Sequence, residues 1–67
     1  MAWVKIKTKD DIKHIINTDT IMNIEYHSDT DLTEIVFTRS AYPSIYVKGD
    51  ITKEFSRALG NIISLGV

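Results

Sequence analysis

The stretch TIMNIEYHSDTDLTEIVFTR, residues 20–39, decides the fold because two strand patterns flank a turn. In its first half, Met22, Ile24 and Tyr26 occupy alternate positions with polar residues between them. In its second half, Ile35 and Phe37 repeat this period of two among β-branched and aromatic residues. The central SDTD residues are turn formers. The stretch therefore predicts an antiparallel hairpin whose turn sets Met22, Ile24 and Tyr26 against Ile35 and Phe37.

Two further strand patterns lie outside this hairpin. WVKIKT, residues 3–8, places Val4 and Ile6 on one face, and SIYVKG, residues 44–49, does the same with Ile45 and Val47. Between the hairpin and the last strand, RSAYPS holds the only proline, which cannot donate a hydrogen bond to a ladder and so indicates a connection.

The segment TKDDIKHIIN, residues 8–17, fits two different structures. Its isoleucines have the i, i+3, i+4 spacing of a helix, and Thr8 followed by Asp11 resembles a capping pair. Alternatively, residues 9–11 form a hairpin turn and residues 12–16 a returning strand. A two-turn helix alone is marginal in water, which favours the strand.

A helix is predicted at the C-terminal end, where Asp50 is a suitable N-cap after the last strand. One apolar stripe on this helix comprises Ile51, Phe55, Leu59, Ile62 and Ile63. Gly60 within the stripe indicates either close packing or an early end of the helix. The predicted fold class is α+β: a small antiparallel β-meander of four to five strands with one C-terminal α-helix packed on it, in a single domain of residues 1–67.

Composition limits what such a small protein can use for stability and binding. A chain of 67 residues buries a small core, and domains of this size often rely on disulfides, a structural metal or oligomerisation. Cysteine is absent and only two histidines are present, so oligomerisation is the option that remains. The formal net charge of −1 provides no general attraction for nucleic acid.

The sequence contains neither a membrane-spanning pattern nor a targeting pattern. No apolar run approaches the roughly 18 residues of a transmembrane helix. The N-terminal MAWVKIKTKDD lacks the apolar centre of a signal peptide. We therefore expect a cytoplasmic protein without a membrane partner.

The segment YHSDTDLTE, residues 26–34, is rich in potential metal ligands: His27, Asp29, Asp31 and Glu34. A calcium loop starting at Asp29 would need a glycine where Glu34 stands, together with flanking helices that are not predicted. A zinc site would need more nitrogen or sulfur ligands, unless His14 joined from elsewhere. We therefore interpret the segment as a turn, and expect no metal and no other cofactor.

Residues for an enzyme mechanism do not come together in the sequence. Ser28 directly follows His27, but neighbouring residues of a strand point to opposite faces and cannot form a nucleophile–base pair. The three glycines form no phosphate-binding loop. The sequence therefore predicts a protein without catalytic residues.

Aromatic and basic side chains alternate on the first and last strands. The candidate face for a protein partner or for nucleic acid comprises Trp3, Lys5, Lys7, Tyr46 and Lys48. Aromatic rings interleaved with lysines are used by sheets that bind single-stranded nucleic acid, although a solvated sheet face has the same composition. Nucleic-acid binding is therefore the alternative function, and it is not favoured.

The C-terminal segment NIISLGV carries more apolar groups than one helix face needs. Its candidate interface residues are Ile62, Ile63, Leu65 and Val67. Either they fold back onto the core or they form a subunit interface, and we expect an interface, with a homodimer as its simplest form.

The run from residue 15 to residue 59 has a recurrent order of elements: a strand, an N-x-D-x-I-x-x-I-E segment, a hairpin, a strand ending in V-K-G, and a helix. In this order it resembles the flagellar FlbD-like proteins and small uncharacterised proteins of bacteria and their phages. The resemblance implies the fold and a bacterial or phage accessory protein, but no functional residue is carried across and no flagellar role is inferred. The predicted function is a small non-enzymatic protein-interaction or regulatory module that acts as a homo-oligomer.

Overall fold

The computed structural model describes residues 2–38, 44–60, 62–63 and 65–66. In this part of the chain, five strands, a 3₁₀ turn and one α-helix confirm the predicted α+β class. Their bounds are β1 Trp3–Lys7, β2 Lys13–Asn17, the 3₁₀ turn Thr18–Thr20, β3 Ile21–His27, β4 Leu32–Phe37, β5 Ile45–Lys48 and α1 Thr52–Leu59. All strand pairs are antiparallel, but they form two sheets, β1–β2 and β3–β4–β5, since the 3₁₀ turn redirects the chain between β2 and β3.

The first hairpin resolves the ambiguous segment in favour of the strand. The main-chain N–H of Thr8 donates to the carbonyl of Ile12 at 2.9 Å, and the N–H of Asp11 donates to the carbonyl of Thr8 at 2.9 Å. Asp11 has a φ of 64°, the left-handed conformation that aspartate tolerates better than most residues. A turn followed by one left-handed residue closes three-residue hairpin loops, so the helix-capping pattern of Thr8 and Asp11 is here a turn pattern.

The second hairpin confirms the turn predicted at residues 28–31. Asp31 adopts a φ of 53°, and its Oδ1 accepts a hydrogen bond of 2.6 Å from the Tyr26 hydroxyl, which raises the pKa of that phenol. Ile24 pairs with Ile35 as predicted. The prediction for Met22 is wrong: the register shifts between residues 21 and 23, and the Met22 side chain is exposed.

The core takes one buried apolar side chain from each of five elements. These are Ile6 from β1, Ile16 from β2, Ile35 from β4, Val47 from β5 and Phe55 from α1. Burying one such side chain contributes about 1.5–3 kcal/mol. Strand β3 contributes the partly buried Ile21 and Ile24 at the margin of this cluster. Both sheets and the helix therefore depend on one small cluster.

The helix is shorter than the predicted stripe. It starts at Thr52 with Ile51 as the N-cap, one residue later than predicted. The Asp50 carboxylate still accepts from the Thr52 hydroxyl at 2.6 Å and from the Thr52 N–H at 3.0 Å, and these bonds lower its pKa. Gly60 ends the helix with a φ of 81°, so Ile62 and Ile63 do not extend its apolar face. No helix of the described residues is long and apolar enough to cross a membrane.

Candidate functional site

The outward face of the first hairpin carries the predicted side chains of β1. Trp3, Lys5 and Lys7 are all exposed. Their partners across the hairpin on β2 are Asn17, Ile15 and Lys13. The sequence does not identify these partners, because their segment also fits a helix.

Tyr46 and Lys48 belong to the other sheet, at its β5 edge. Tyr46 is half-buried, and the Nζ of Lys9 lies 5.5 Å from the centre of its ring, a distance at which a cation interacts with a π face. The five residues of the predicted binding face are thus divided between two sheets. The part that lies on a single exposed face is the β1 part.

The main-chain pattern of the hairpin shows which groups of β1 are used. Thr8 bonds to Ile12 at one end of the hairpin, and the N–H of Thr18 donates to the carbonyl of Ala2 at 2.8 Å at the other. In an antiparallel pair, hydrogen-bonded residues alternate with residues whose main-chain groups point away from the partner strand. The even-numbered residues of β1 therefore bond to β2. The odd-numbered residues direct their N–H and C=O groups to the opposite edge.

Along most of its length, this opposite edge of β1 pairs with no strand of the part of the chain that the structure describes. At its end the N–H of Lys9 donates to the carbonyl of Tyr46 at 2.8 Å, which fits the odd-numbered pattern and joins the hairpin to β5. Among the described residues, no sheet pairing connects β1 to β5 before that point. The main-chain groups of Trp3, Lys5 and Lys7 thus form a strand edge that pairs with no strand in residues 2–38, 44–60, 62–63 and 65–66.

A cleft lies directly beside this edge, and we call it the edge cleft. It has a volume of about 480 Å³ and separates β1 from β5 and α1. Its apolar lining comprises Val4, Ile6, Val47, Ile51 and Phe55, and its charged rim comprises Lys5, Lys7 and Glu54. The edge cleft therefore combines unpaired main-chain groups with an apolar floor.

A second cleft of about 540 Å³ lies at the β2 side of the hairpin. It is lined by Trp3, Ile15, Ile16, Phe37 and Ile45, with polar residues at its margin. Residues 39–43, which follow Thr38 beyond the end of β4, fall outside the described residues. Ile15 lines this second cleft and not the edge cleft.

Polar side chains meet on the outward face of the three-stranded sheet. Glu34 Oε2 accepts a hydrogen bond of 2.6 Å from the Ser44 hydroxyl, and Glu34 Oε1 lies 3.1 Å from His27 Nε2. Ser44 first, and then His27, lower the pKa of the Glu34 carboxyl. Glu34 thus stands between the serine and the imidazole, and no hydrogen bond among the described residues joins His27 to Ser44. The carboxylate is placed to orient both groups, but the imidazole is not placed to activate the hydroxyl.

The same face gathers a different ligand set from the one considered in the sequence. Potential ligand atoms of Glu25, His27 and Glu34 lie within 4.8 Å of one another. Glu25 was missed because only the register, which sets it directly opposite Glu34, brings it there. Asp31 instead accepts a hydrogen bond from Tyr26. Both Glu34 oxygens already have partners, so the cluster by itself is explained as a hydrogen-bonded network.

Replacing Ser44 with alanine is expected to raise the pKa of Glu34 toward its usual value, because the largest stabilising contact of the carboxylate is lost. Since folding lowers this pKa, the stabilisation is present above about pH 4.5 and is lost as the pH falls through the folded-state value. The loss on acidification should be smaller in Ser44→Ala. Carboxyl ¹³C NMR titration measures the pKa directly. Ser28→Ala is the control, and an unchanged Glu34 pKa in Ser44→Ala contradicts the assignment.

The C-terminal residues beyond the helix expose apolar side chains. Ile62 is 50% exposed, Ile63 82% and Leu65 85%. Val67, the fourth residue of the predicted interface, lies outside the described residues. The sequence left two alternatives for this segment, folding back onto the core or forming a subunit interface. The side chains of Ile63 and Leu65 are not folded back onto the core. Their side chains are available to a partner.

Comparison with known proteins adds no family to this picture. No family model, no curated protein and no solved structure matches the chain. The resemblance to FlbD-like proteins therefore stays a prediction.

Proposed function

We propose that the protein is a small non-enzymatic interaction module that acts as a homo-oligomer, in its simplest form a dimer. The observation that carries this proposal is the exposure of Ile62, Ile63 and Leu65, three large apolar side chains within four residues. Single exposed apolar residues are ordinary on protein surfaces, but a contiguous group indicates an interaction site.

The exposed side chains of Ile62, Ile63 and Leu65 are a large apolar group in comparison with the small core. The described core contains five buried apolar residues, and the exposed segment adds three apolar side chains of comparable size. Removing each from water contributes about 1.5–3 kcal/mol when burial is complete. Covering the segment in a subunit interface would therefore be a large addition to the stability of so small a domain.

The oligomer is expected to dissociate when this segment is made polar. We expect the wild-type chain to sediment as a dimer at about 100 µM, and the double variant Ile63→Asp/Leu65→Asp to sediment as a folded monomer, because each charge would have to be desolvated in the interface. Met22→Asp is the matched control, since Met22 is an exposed apolar residue on β3. A folded wild-type monomer at that concentration would falsify the dimer.

A second candidate function is the binding of single-stranded nucleic acid by the first hairpin. The observation in its favour is that Trp3, Lys5, Lys7 and Lys13 share one outward face. Stacking on an aromatic ring and neutralisation of phosphates are the two contacts that such binding uses. The net charge of −1 and the ion pair of Lys7 with Asp11, 3.5 Å apart, both oppose it.

Charge reversal on this face is expected to weaken any such binding. In low salt, Lys5→Glu/Lys13→Glu should lose affinity for a fluorescent single-stranded oligonucleotide by about 10-fold or more, because two phosphate contacts become repulsive. Lys53→Glu on the exposed side of α1 is the control. If fluorescence anisotropy shows the same affinity for both variants and the wild type, the second candidate function is excluded.

A further inference from the structure

We propose that the edge cleft receives the C-terminal segment of a second copy of this chain, residues 61–67, as an added β-strand along β1. This inference rests on the proposed homo-oligomer and names the surface that each copy presents to the other. It joins two features of one copy: a strand edge that no described strand pairs with, and the exposed apolar side chains of Ile63 and Leu65.

The strand edge supplies the main-chain half of the interaction. Trp3, Lys5 and Lys7 direct their N–H and C=O groups away from β2, and no described strand pairs with them. Unpaired edges of this kind bind extended segments by main-chain hydrogen bonds, while alternate side chains of the segment enter pockets beside the edge. The edge cleft, with Ile6 and Phe55 among its lining residues, is such a pocket.

The C-terminal segment supplies the side-chain half. In NIISLGV, Ile63, Leu65 and Val67 occupy alternate positions, as in a strand with one apolar face. With Ile63 and Leu65 directed into the cleft, Ser64 would face outward beside the lysines of β1. The segment carries no charged side chain. It also has no proline, so each of its residues has an N–H that can donate to the β ladder.

Charge distinguishes this occupant from a second copy of β1. Two β1 edges paired antiparallel around Lys5 would set lysine directly opposite lysine, which destabilises a sheet. Lysines on an exposed edge are a common protection against such self-pairing. The C-terminal segment has no charged side chain and meets no such repulsion, and the exposed side chains of Ile63 and Leu65 become buried in the process.

The lengths are compatible with an exchange between two copies. The seven residues 61–67 reach about 23 Å when extended, at roughly 3.3 Å per residue, whereas the five residues of β1 span about 17 Å. Gly60 ends the helix in a left-handed conformation and so frees the segment to leave it. If each copy inserts its segment into the other, the assembly closes with two-fold symmetry and leaves neither cleft open.

Disulfide trapping tests this placement, because the chain has no cysteine of its own. Chains carrying Ser64→Cys are mixed with chains carrying Lys5→Cys or Lys7→Cys under mild oxidation, and a cross-linked heterodimer is expected with at least one of them. The controls are Ile15→Cys and Lys13→Cys, which lie directly opposite on β2. From a strand added at β1, positions 13 and 15 are one strand further away than positions 5 and 7, by about 4.8 Å. This distance is too long for a disulfide with position 64.

The cross-linking outcomes separate this inference from the proposed function. Preferential cross-linking to position 5 or 7 supports the exchange. If the wild type sediments as a dimer but Ser64→Cys cross-links to position 13 or 15, or to none of the four positions, the placement is overturned while the homo-oligomer stays intact. A wild-type monomer in sedimentation overturns both.

A second variant pair tests the main-chain hydrogen bonds. Lys5→Pro removes an N–H that points away from β2 and donates to no main-chain group of the described residues, whereas Lys5→Ala removes only the side chain. We expect Lys5→Pro to raise the dimer dissociation constant by about tenfold or more and Lys5→Ala to change it by less than about threefold. Circular dichroism establishes that both variants are folded. Equal dissociation constants in the two folded variants contradict strand addition along β1.

Discussion

Replacing Ile35 with alanine is expected to lower the free energy of unfolding by about 2–5 kcal/mol, the range for large-to-small substitutions at buried positions. Ile35 is 0% exposed and lies on the central strand of the three-stranded sheet. Its neighbours on the two flanking strands are Ile24 and Ile45. Truncating the Ile35 side chain therefore leaves a cavity between these two side chains. Strands paired on both sides have little freedom to close such a cavity.

The expected loss is large relative to the stability of the whole domain. A chain of 67 residues has about 3–10 kcal/mol of unfolding free energy at the usual value per residue. The variant is therefore expected to be partly unfolded without denaturant at 25 °C, or to unfold at a much lower urea concentration than the wild type. Urea denaturation followed by circular dichroism measures the shift.

Ile15→Ala is the matched control for Ile35→Ala. It makes the same chemical change in a strand, including the loss of a β-branched residue, but at a side chain that is 67% exposed. Its cost should stay within about 0.5 kcal/mol, apart from a small loss of strand propensity. Equal costs for the two variants would show that Ile35 does not occupy the centre of the core.

Much of the fold could be predicted because apolar and polar residues alternate in most strands. Val4 and Ile6, Ile45 and Val47, and Ile35 with Phe37 all follow the period of two, and all six lie in or against the core. The predicted turn at residues 28–31 also forms, because its residues accept turn geometry. Local rules are sufficient where the local pattern and the burial agree.

The errors arise where tertiary geometry overrides the pattern. The irregularity between residues 21 and 23 moves Met22 out of the core and places Ile21 beside it, and an extra residue in a strand leaves no periodic signal of its own. The predicted helix stripe continued past Gly60 because Ile62 and Ile63 have the right spacing. The left-handed conformation at Gly60 ends the helix there.

The candidate sites depend on which strands pair and in which register, and a single sequence does not specify this pairing. The edge of β1 that no described strand pairs with follows from the pairing of residues 2–8 with residues 12–18. The hydrogen bond from the Lys9 N–H to the Tyr46 carbonyl joins its end to β5. Glu25 joins His27 and Glu34 because of the β3–β4 register. The exposed apolar character of Ile63 and Leu65 could be predicted, since their number exceeds what one short helix can bury.

Replacing Thr33 with valine is expected to lower the free energy of unfolding by about 2 kcal/mol or more, although valine favours strands and is more apolar. Thr33 is 0% exposed. Its hydroxyl donates to the Gly49 carbonyl at 2.7 Å and accepts from the Ile51 N–H at 3.3 Å. Thr33 thus ties β4 to the connection between β5 and α1, and valine would leave both main-chain groups without their partner.

Thr33→Ser separates the hydroxyl from the methyl group. Serine keeps both hydrogen bonds and loses one buried methyl, at a cost of about 1 kcal/mol. An unsatisfied buried main-chain group costs about 1–3 kcal/mol, and two are created by valine, so the valine variant should be the less stable of the two. The amide of Ile51 should also exchange with solvent faster in Thr33→Val than in Thr33→Ser. If valine proves the more stable variant, apolar burial and strand propensity outweigh these bonds, and the start of α1 must be held by Asp50 and Phe55 instead.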